Sequence, residues 1–347
     1  MKVLVAKEPG IAKYTQEYAK PVPEDDQVVC KVVRNGICAT DMAILSGKAT
    51  FMHDGSTSYP VRFGHEWAGT VVEVGKNVKG FKVGDKAISE GGVSCGKCKE
   101  CLRGNYSKCL NSRSVGTINT WPGSYAEYVV FPERHLFKIP EKISYDNAAL
   151  MEPASVAMVG VQRAHIIPGE SVVMVTGVGA IGIAAARFAK YVGAKEVYIS
   201  GRTPYKLEVA KKMGVDGTHN PKEESIQDFV KRVTNGYGVD CAIECSGKIS
   251  VLNDCVDILG KHGTLSVVAF YEQLFSTFDI DKFVMKECVL EPVMGGAQQD
   301  VINAVANGVD LTPLITKHIK FDDCGEFMTS MLDAPSKADI KVMVDFD

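Results

Sequence analysis

The chain has no apolar run approaching the ~20 residues of a bilayer-spanning helix, which excludes a membrane-spanning segment of that kind. It has no basic stripe either. Its 39 Lys and Arg residues stand against 42 Asp and Glu, a net charge of −3, which removes the electrostatic footprint of a nucleic-acid binder. Internal repeats and low-complexity tracts are missing, so a solenoid or a tail-like chain is excluded. The opening run Met1-Lys2-Val3-Leu4-Val5-Ala6-Lys7 is too short and too soon charged for a secretion signal, and is expected to form a first strand. What remains is an ordinary globular composition, 46% hydrophobic and 23% charged, over 347 residues, enough for about two domains. Cysteine is the exception in its abundance. There are eleven, an odd number, expected to stay reduced in a cytoplasmic setting.

Four of them, Cys95, Cys98, Cys101 and Cys109, fall within fifteen residues as C-x2-C-x2-C-x7-C. Four thiolates at that spacing suit a tetrahedral Zn2+ with no position left for substrate, a structural clamp on a lobe spanning residues 91–113. A pair of disulfides or four unrelated thiols is the alternative. The tight spacing and the expected reducing location favour metal.

Short β-like runs fill the first ~150 residues, among them Gln27–Val33, Ala68–Val74 and Tyr125–Phe131, with turns at Gly84-Asp85 and Pro122-Gly123. From about Pro153 the texture changes to alternating strands and helices. Strands are predicted at Ser171–Thr176, Glu196–Ser200, Cys241–Glu244 and Thr264–Val268, and helices at Ala180–Val192 and Tyr205–Met213. This alternation predicts a parallel, doubly wound α/β sheet. The final stretch is expected to return to the β body with a helix at Asp300–Asn307, a Pro-punctuated loop and a strand at Ile340–Val344. The predicted domains are 1–154 with 294–347, and 155–293.

Gly177-Val178-Gly179-Ala180-Ile181-Gly182 is G-x-G-x-x-G between a hydrophobic strand and a helix, the context that marks a dinucleotide site. Gly177 permits the tight turn, Gly179 lets a pyrophosphate approach, and Gly182 lets helix and strand pack closely. An NAD enzyme normally carries an acid at the end of the second strand, but here the chain reads Ser200-Gly201-Arg202-Thr203. Glycine leaves room for a 2′-phosphate and a guanidinium pairs with it, so Gly201, Arg202, Thr203 and Lys206 form the predicted NADP pocket. Ala269-Phe270-Tyr271 follows a late strand and is expected near the nicotinamide, with Ala269 touching the cofactor.

A second constellation lies in the β body: Cys38-Ala39-Thr40-Asp41, Gly64-His65-Glu66, and Glu152 before Pro153. Singly, Cys38 reads as a small buried hydrophobe and His65 as a hydrogen-bonded core residue. Together these segments supply one thiolate, one imidazole and two carboxylates, a set suited to catalytic Zn2+. Over nearly its whole length the chain resembles the zinc-dependent medium-chain dehydrogenases, a family that includes sorbitol, threonine and alcohol dehydrogenases. C-x-T-D, G-H-E, the four-cysteine lobe and the strand–GxGxxG–helix unit occur in the family order. The resemblance implies a GroES-like catalytic domain and a Rossmann cofactor domain, with one catalytic and one structural zinc. It implies Cys38 and His65 as ligands, with Glu152 where the polyol branch has its glutamate and Glu66 as a direct or exchanging ligand. It further implies Thr40 as the start of a proton relay from the substrate hydroxyl, Asp41 as the residue orienting His65, and a homodimer or homotetramer.

Two departures bear on substrate. Threonine and many polyol dehydrogenases read C-G-[ST]-D-x-H, whereas Ala39 and Ala43 stand here, and the missing histidine argues against threonine dehydrogenase. Sorbitol-type enzymes often carry an arginine near the segment 291–296, where this chain has Gly295, which weakens a sorbitol assignment. The expected reaction is hydride transfer between NADP and a secondary alcohol: a polyol, cyclitol or sugar derivative. The alternatives are a bulkier, apolar or steroid-like alcohol and, with less support, a non-polyol alcohol with NAD. Phe51, His53, Asp54, Phe270 and Tyr271 are candidate pocket walls, with His53 more readily an exposed loop residue and Trp67 a core residue. A zinc-finger-like binding module is the reading from another class, and the charge balance and the intact cofactor loop argue against it.

Overall fold

Buried strands alternating with alanine-rich helices give the second part of the chain its shape. In the computed structural model, which describes residues 1–271, 277–336 and 338–346, six parallel strands form one sheet. Their order is Gly217–His219, Glu196–Ser200, Val172–Thr176, Val239–Glu244, Leu259–Val267, Val289–Pro292. The order reverses between Val172–Thr176 and Val239–Glu244, the switch point outside which open α/β sheets bind ligands. Gly217–His219 and Val289–Pro292 are too short to show a period in the sequence. One side of the sheet is closed by a core that includes Met174, Phe229, Val256 and Leu265. Each such side chain contributes roughly 1.5–3 kcal/mol on burial.

The first part of the chain is the β body. Its main sheet runs Ile315–Lys320, Lys341–Asp345, Gln27–Gly36, Glu66–Val74, Lys86–Ser89, Leu136–Ile139, with Tyr128–Pro132 pairing Gln27–Gly36 off that path. The first two strands are parallel and the other pairs antiparallel. Val28, Val32, Phe63, Trp67, Tyr125 and Phe131 are among its core residues. Trp67 is fully buried and donates its indole N–H to Ser89 Oγ at 2.9 Å, the core role its place in the sequence favours. The register sets Gly36 opposite Glu66 on one side and Met343 on the other.

The chain divides as Met1–Glu152 with Ile315–Asp347, and Pro153–Leu314. The return therefore comes at Ile315, not at residue 294. Helix Gln298–Ala306 explains the difference, because its partners belong to the second unit. Ala297 N–H donates to Ser155 O at 3.2 Å, Gln162 Nε2 to Asp300 Oδ2 at 2.7 Å and Asn307 Nδ2 to the Tyr191 hydroxyl at 3.3 Å. The stretch after Pro313 is also more structured than the expected loop and strand. It holds the strand Ile315–Lys320 and the helix Phe321–Asp333 before the last strand. Among the described residues no helix is long and apolar enough to cross a membrane.

Candidate active site and metal centres

Cys38 ends the strand Gln27–Gly36 and its short connection, and caps the helix Ala39–Leu45. Its sulfur accepts from Thr40 N–H at 3.5 Å while Asp41 Oδ2 accepts from Cys38 N–H at 3.0 Å, a reciprocal capping box. The helix start thus fixes thiol, Thr40 and Asp41 together. Just before the facing strand Glu66–Val74, Gly64 adopts φ +92°, and a Cβ there would meet the Tyr125 ring at 2.7 Å. Only glycine satisfies both constraints, and that turn delivers His65 and Glu66 to the sheet end. Ligand atoms of Cys38, His65 and Glu66 all lie within 4.8 Å of one another.

The surroundings hold these ligands in place. Asp41 is fully buried, and Tyr125 donates its hydroxyl to Asp41 Oδ2 at 2.9 Å. Asp41 Oδ1 and His65 Nδ1 are buried without hydrogen-bond partners and face each other at 3.6 Å. An imidazole that gives Nε2 to a metal must carry its proton on Nδ1, and a carboxylate stands there to receive it. Burial alone would depress His65, but the charges of Asp41, Cys38 and Glu152 outweigh it and raise the imidazole well above its ordinary value. That many anionic groups around one ring fit a cation at the centre. Glu152 lies outside the close trio, partly buried. Burial pushes its carboxyl up to about 7, opposed by His65 and reinforced by Glu66. Thr40 is half-buried, and its hydroxyl has no partner among the described residues.

The four-cysteine lobe passes a sharper test. Sulfur–sulfur distances are 3.4 Å for Cys98–Cys101 and 3.9 Å for Cys95–Cys101 and Cys98–Cys109. Tetrahedral Zn–S bonds of about 2.3 Å require ~3.8 Å between sulfurs. Backbone N–H groups of Lys97 and Cys98 hold the Cys95 thiol down at about 6, ready to bind as thiolate. Burial would raise Cys101, yet the Ser94 hydroxyl and then Cys98 bring it below its ordinary value. All eleven cysteines are free, so the disulfide alternative is set aside.

Close packing accounts for two of the three glycines in the loop Gly177–Gly182. Gly177 sits at φ +103°, where a Cβ would meet the Cys245 backbone at 2.9 Å, and a Cβ on Gly182 would collide with Gly177 O. Gly179 caps the helix Ala180–Tyr191 and faces open space, leaving its backbone approachable. Arg202 is exposed and forms no ion pair among the described residues. Gly201 has a packing reason of its own, because a Cβ there would collide with the Val178 side chain.

A family model of the alcohol dehydrogenase GroES-like domain matches residues 24–141, and one of zinc-binding dehydrogenases matches residues 180–309. An L-threonine 3-dehydrogenase from Alteromonas mediterranea is 34% identical, over 93% of this chain and 94% of its own. The chain belongs to the zinc-dependent medium-chain dehydrogenases. Among solved structures of such dehydrogenases, 2R,3R-butanediol dehydrogenase from Bacillus subtilis matches with a TM-score of 0.88 at 26% identity, covering 100% of this chain and 99% of that one. A zinc-binding dehydrogenase of Sinorhizobium meliloti bound to NADP matches at 0.86 and 25%, covering 99% of each chain.

In this medium-chain dehydrogenase three site residues escape the motif reading. Lys341 Nζ donates to both oxygens of Glu66, at 2.7 and 2.6 Å, and to Ile37 O at 3.0 Å. Burial would lower Lys341, but Glu66 and then Cys38 outweigh it and hold the ammonium above its ordinary value. A Cβ on Gly36 would collide with Glu66 Oε2, so the residue opposite in register must be glycine. Tyr125 is the third. A lone lysine inside the apolar run 340–344 was the available signal for the first. Of the candidate walls, Phe51 packs against the β core, His53 is exposed, and Phe270 is exposed beside a half-buried Tyr271. The zinc-finger-like reading is set aside with the family assignment.

Proposed function

We propose that this dehydrogenase prefers NADP and interconverts a secondary alcohol (a polyol, cyclitol or sugar derivative) and its ketone. The observation that best supports an oxygen-rich substrate is the trio of Cys38, His65 and Glu66, with the Glu152 carboxyl near enough for its charge to act on His65. Cys38, His65, Glu66 and Glu152 would hold the catalytic zinc, and Cys95, Cys98, Cys101 and Cys109 the structural one. A catalytic zinc supplies Lewis acidity that lets an alcohol give up its proton near neutral pH, and the nicotinamide ring supplies the hydride acceptor.

The chain's own groups do the rest. Thr40, its hydroxyl uncommitted, takes the alcohol proton toward solvent. Asp41, braced by Cys38 N–H and Tyr125, fixes the His65 ring. Lys341 balances Glu66, so that Glu66 and Glu152 can share the ligand role. Backbone groups of Gly177, Gly179, Ala180, Ile181 and Gly182 bind the pyrophosphate. Arg202, with Thr203 and Lys206, pairs with the 2′-phosphate, and Ala269 lies at the nicotinamide end. Since Val178 alone accounts for Gly201, the NADP preference rests on Arg202 and on the missing acid, with the NADP-bound relative in support.

A second reading is threonine oxidation, favoured by the 34% identical relative named for that reaction and opposed by Ala43 at the missing histidine. We also infer a homo-oligomer, a dimer or tetramer. Among the described residues the strand Val289–Pro292 is an unpaired sheet edge that exposes Val289 and Leu290 at 44% and 47%, an apolar edge suited to a second copy. Eleven free thiols favour a reducing, cytoplasmic location.

The test is initial-rate cofactor reduction by zinc-loaded protein, with NADP+ and NAD+ side by side, over polyols, cyclitols, L-threonine and apolar secondary alcohols. Turnover of hydroxyl-rich substrates with NADP+ is expected. Turnover of L-threonine alone establishes the second reading, and turnover of apolar alcohols alone overturns both substrate assignments.

A further inference from the structure

We propose that His135 is the positioning residue that keeps zinc in the four-cysteine lobe, acting through Ser94. The one-turn 3-10 helix Glu133–His135 links two strands of the β body and buries the imidazole to 1% exposure. Nε2 lies 3.0 Å from Ser94 N and 2.8 Å from Ser94 Oγ, and Nδ1 lies 2.6 Å from Glu90 Oε1. A backbone N–H only donates, so Nε2 is the acceptor and the proton sits on Nδ1, given to Glu90. The neighbouring Arg134 donates from Nη2 to Ser94 O at 3.1 Å. The Ser94 N–H and carbonyl are thereby held by residues 135 and 134, and Ser94 directly precedes Cys95.

The same imidazole touches the other end of the lobe. Tyr106, three residues before Cys109, packs edge-on against it with centroids 5.5 Å apart. One side chain of the β body therefore braces the chain beside both the first and the last thiolate. The Glu90–His135–Ser94 string has the spacing of a hydrolytic triad. Ser94 is only 3% exposed and its own N–H already occupies Nε2, so positioning is its role here. Partners behind the ligands of a metal typically govern its retention by about 10–100-fold.

The inference rests on the lobe holding zinc, and the test separates the two. In a Cys38→Ser background, where the lobe is the remaining site, bound zinc is first counted by mass spectrometry and its release to a colorimetric chelator is then timed. His135→Gln keeps an acceptor for Ser94 and gives up the Glu90 bond, whereas His135→Asn keeps a donor for Glu90 and gives up Ser94. We expect about tenfold faster release from the Asn variant and near-parental release from the Gln variant. Equal rates for the two variants overturn the role of His135. No zinc in the parent overturns the zinc reading instead. If the Asn variant does not fold, His135→Phe, which keeps a ring against Tyr106 and removes the acceptor for Ser94, carries the test: faster release supports the proposal and an unchanged rate overturns it.

Discussion

Lys341 and Glu66 form a buried, two-pronged ion pair whose side chains are 5% and 1% exposed. The two residues are 275 positions apart in the chain, and a candidate metal ligand is paired with a lysine that no motif contains. Removing one partner of such a pair leaves an uncompensated charge in the interior, which costs about 3–5 kcal/mol. Lys341→Met is expected to destabilise the zinc-loaded protein by that order in denaturant unfolding. The double variant Lys341→Met/Glu66→Gln should recover part of it. Additive losses in the cycle would show that the pair is not coupled. The pair also sets a pH limit. Because Lys341 is raised in the folded state, its contribution is fully present below the unfolded lysine value of ~10.4 and is lost as pH climbs through the folded one.

The two metal centres should come apart cleanly. Wild-type protein is expected to carry two zinc ions per chain, and Cys38→Ser and Cys98→Ser one each. Cys38→Ser should abolish turnover while dinucleotide fluorescence titration still reports binding. Cys98→Ser should lower the unfolding midpoint instead. Metal-verified Cys38→Ser protein with ordinary turnover would refute the assignment of that site.

Arg202 separates the two dinucleotides. A charge-assisted guanidinium–phosphate contact at an exposed position is worth on the order of 1.4 kcal/mol, a factor of ten in Kd. Arg202→Ala is therefore expected to weaken NADPH about tenfold and to leave NADH within twofold. Equal effects on both would remove Arg202 from the 2′-phosphate site.

At the other side of the switch point, Glu244 is fully buried and accepts from Ser246 N–H at 2.6 Å, Ser246 Oγ at 2.5 Å, Gly247 N–H at 3.3 Å and the Tyr271 hydroxyl at 2.5 Å. This carboxylate ties the turn after one strand to the loop after the next, the loop that carries Ala269. Tyr271→Phe removes one donor of four and should cost about 1 kcal/mol of stability. KM for the dinucleotide should rise while zinc content stays at two. A KM equal to that of the parent would confine Tyr271 to packing.

Much of this was legible in the sequence because motifs compress function into short spacing. The lobe cysteines, the glycine loop and the C-x-T-D and G-H-E segments each carry their geometry in a few residues, and the fold brings Cys38, His65 and Glu66 together. What escaped depends on register and return. Gly36 matters only because it lies opposite Glu66, Tyr125 only because its ring packs on Gly64, and Lys341 only because the chain comes back at Ile315. The helix expected at Asp300–Asn307 in the β body stands at Gln298–Ala306 in the other unit for the same reason, since an amphipathic pattern shows a buried face and not the neighbour that covers it.

That late return has a temporal side. Ribosomes emit about 5–20 residues each second, N-terminus first, and early domains fold while the remainder is still being made. Cys38, His65 and Glu66 emerge long before Lys341, which follows Glu66 by 275 positions. Until the strand Lys341–Asp345 is made, Glu66 therefore lacks its lysine partner. Addition of that strand is the event that pairs it, so the candidate metal centre gains its buried cation only after its candidate ligands Cys38, His65 and Glu66 have been made.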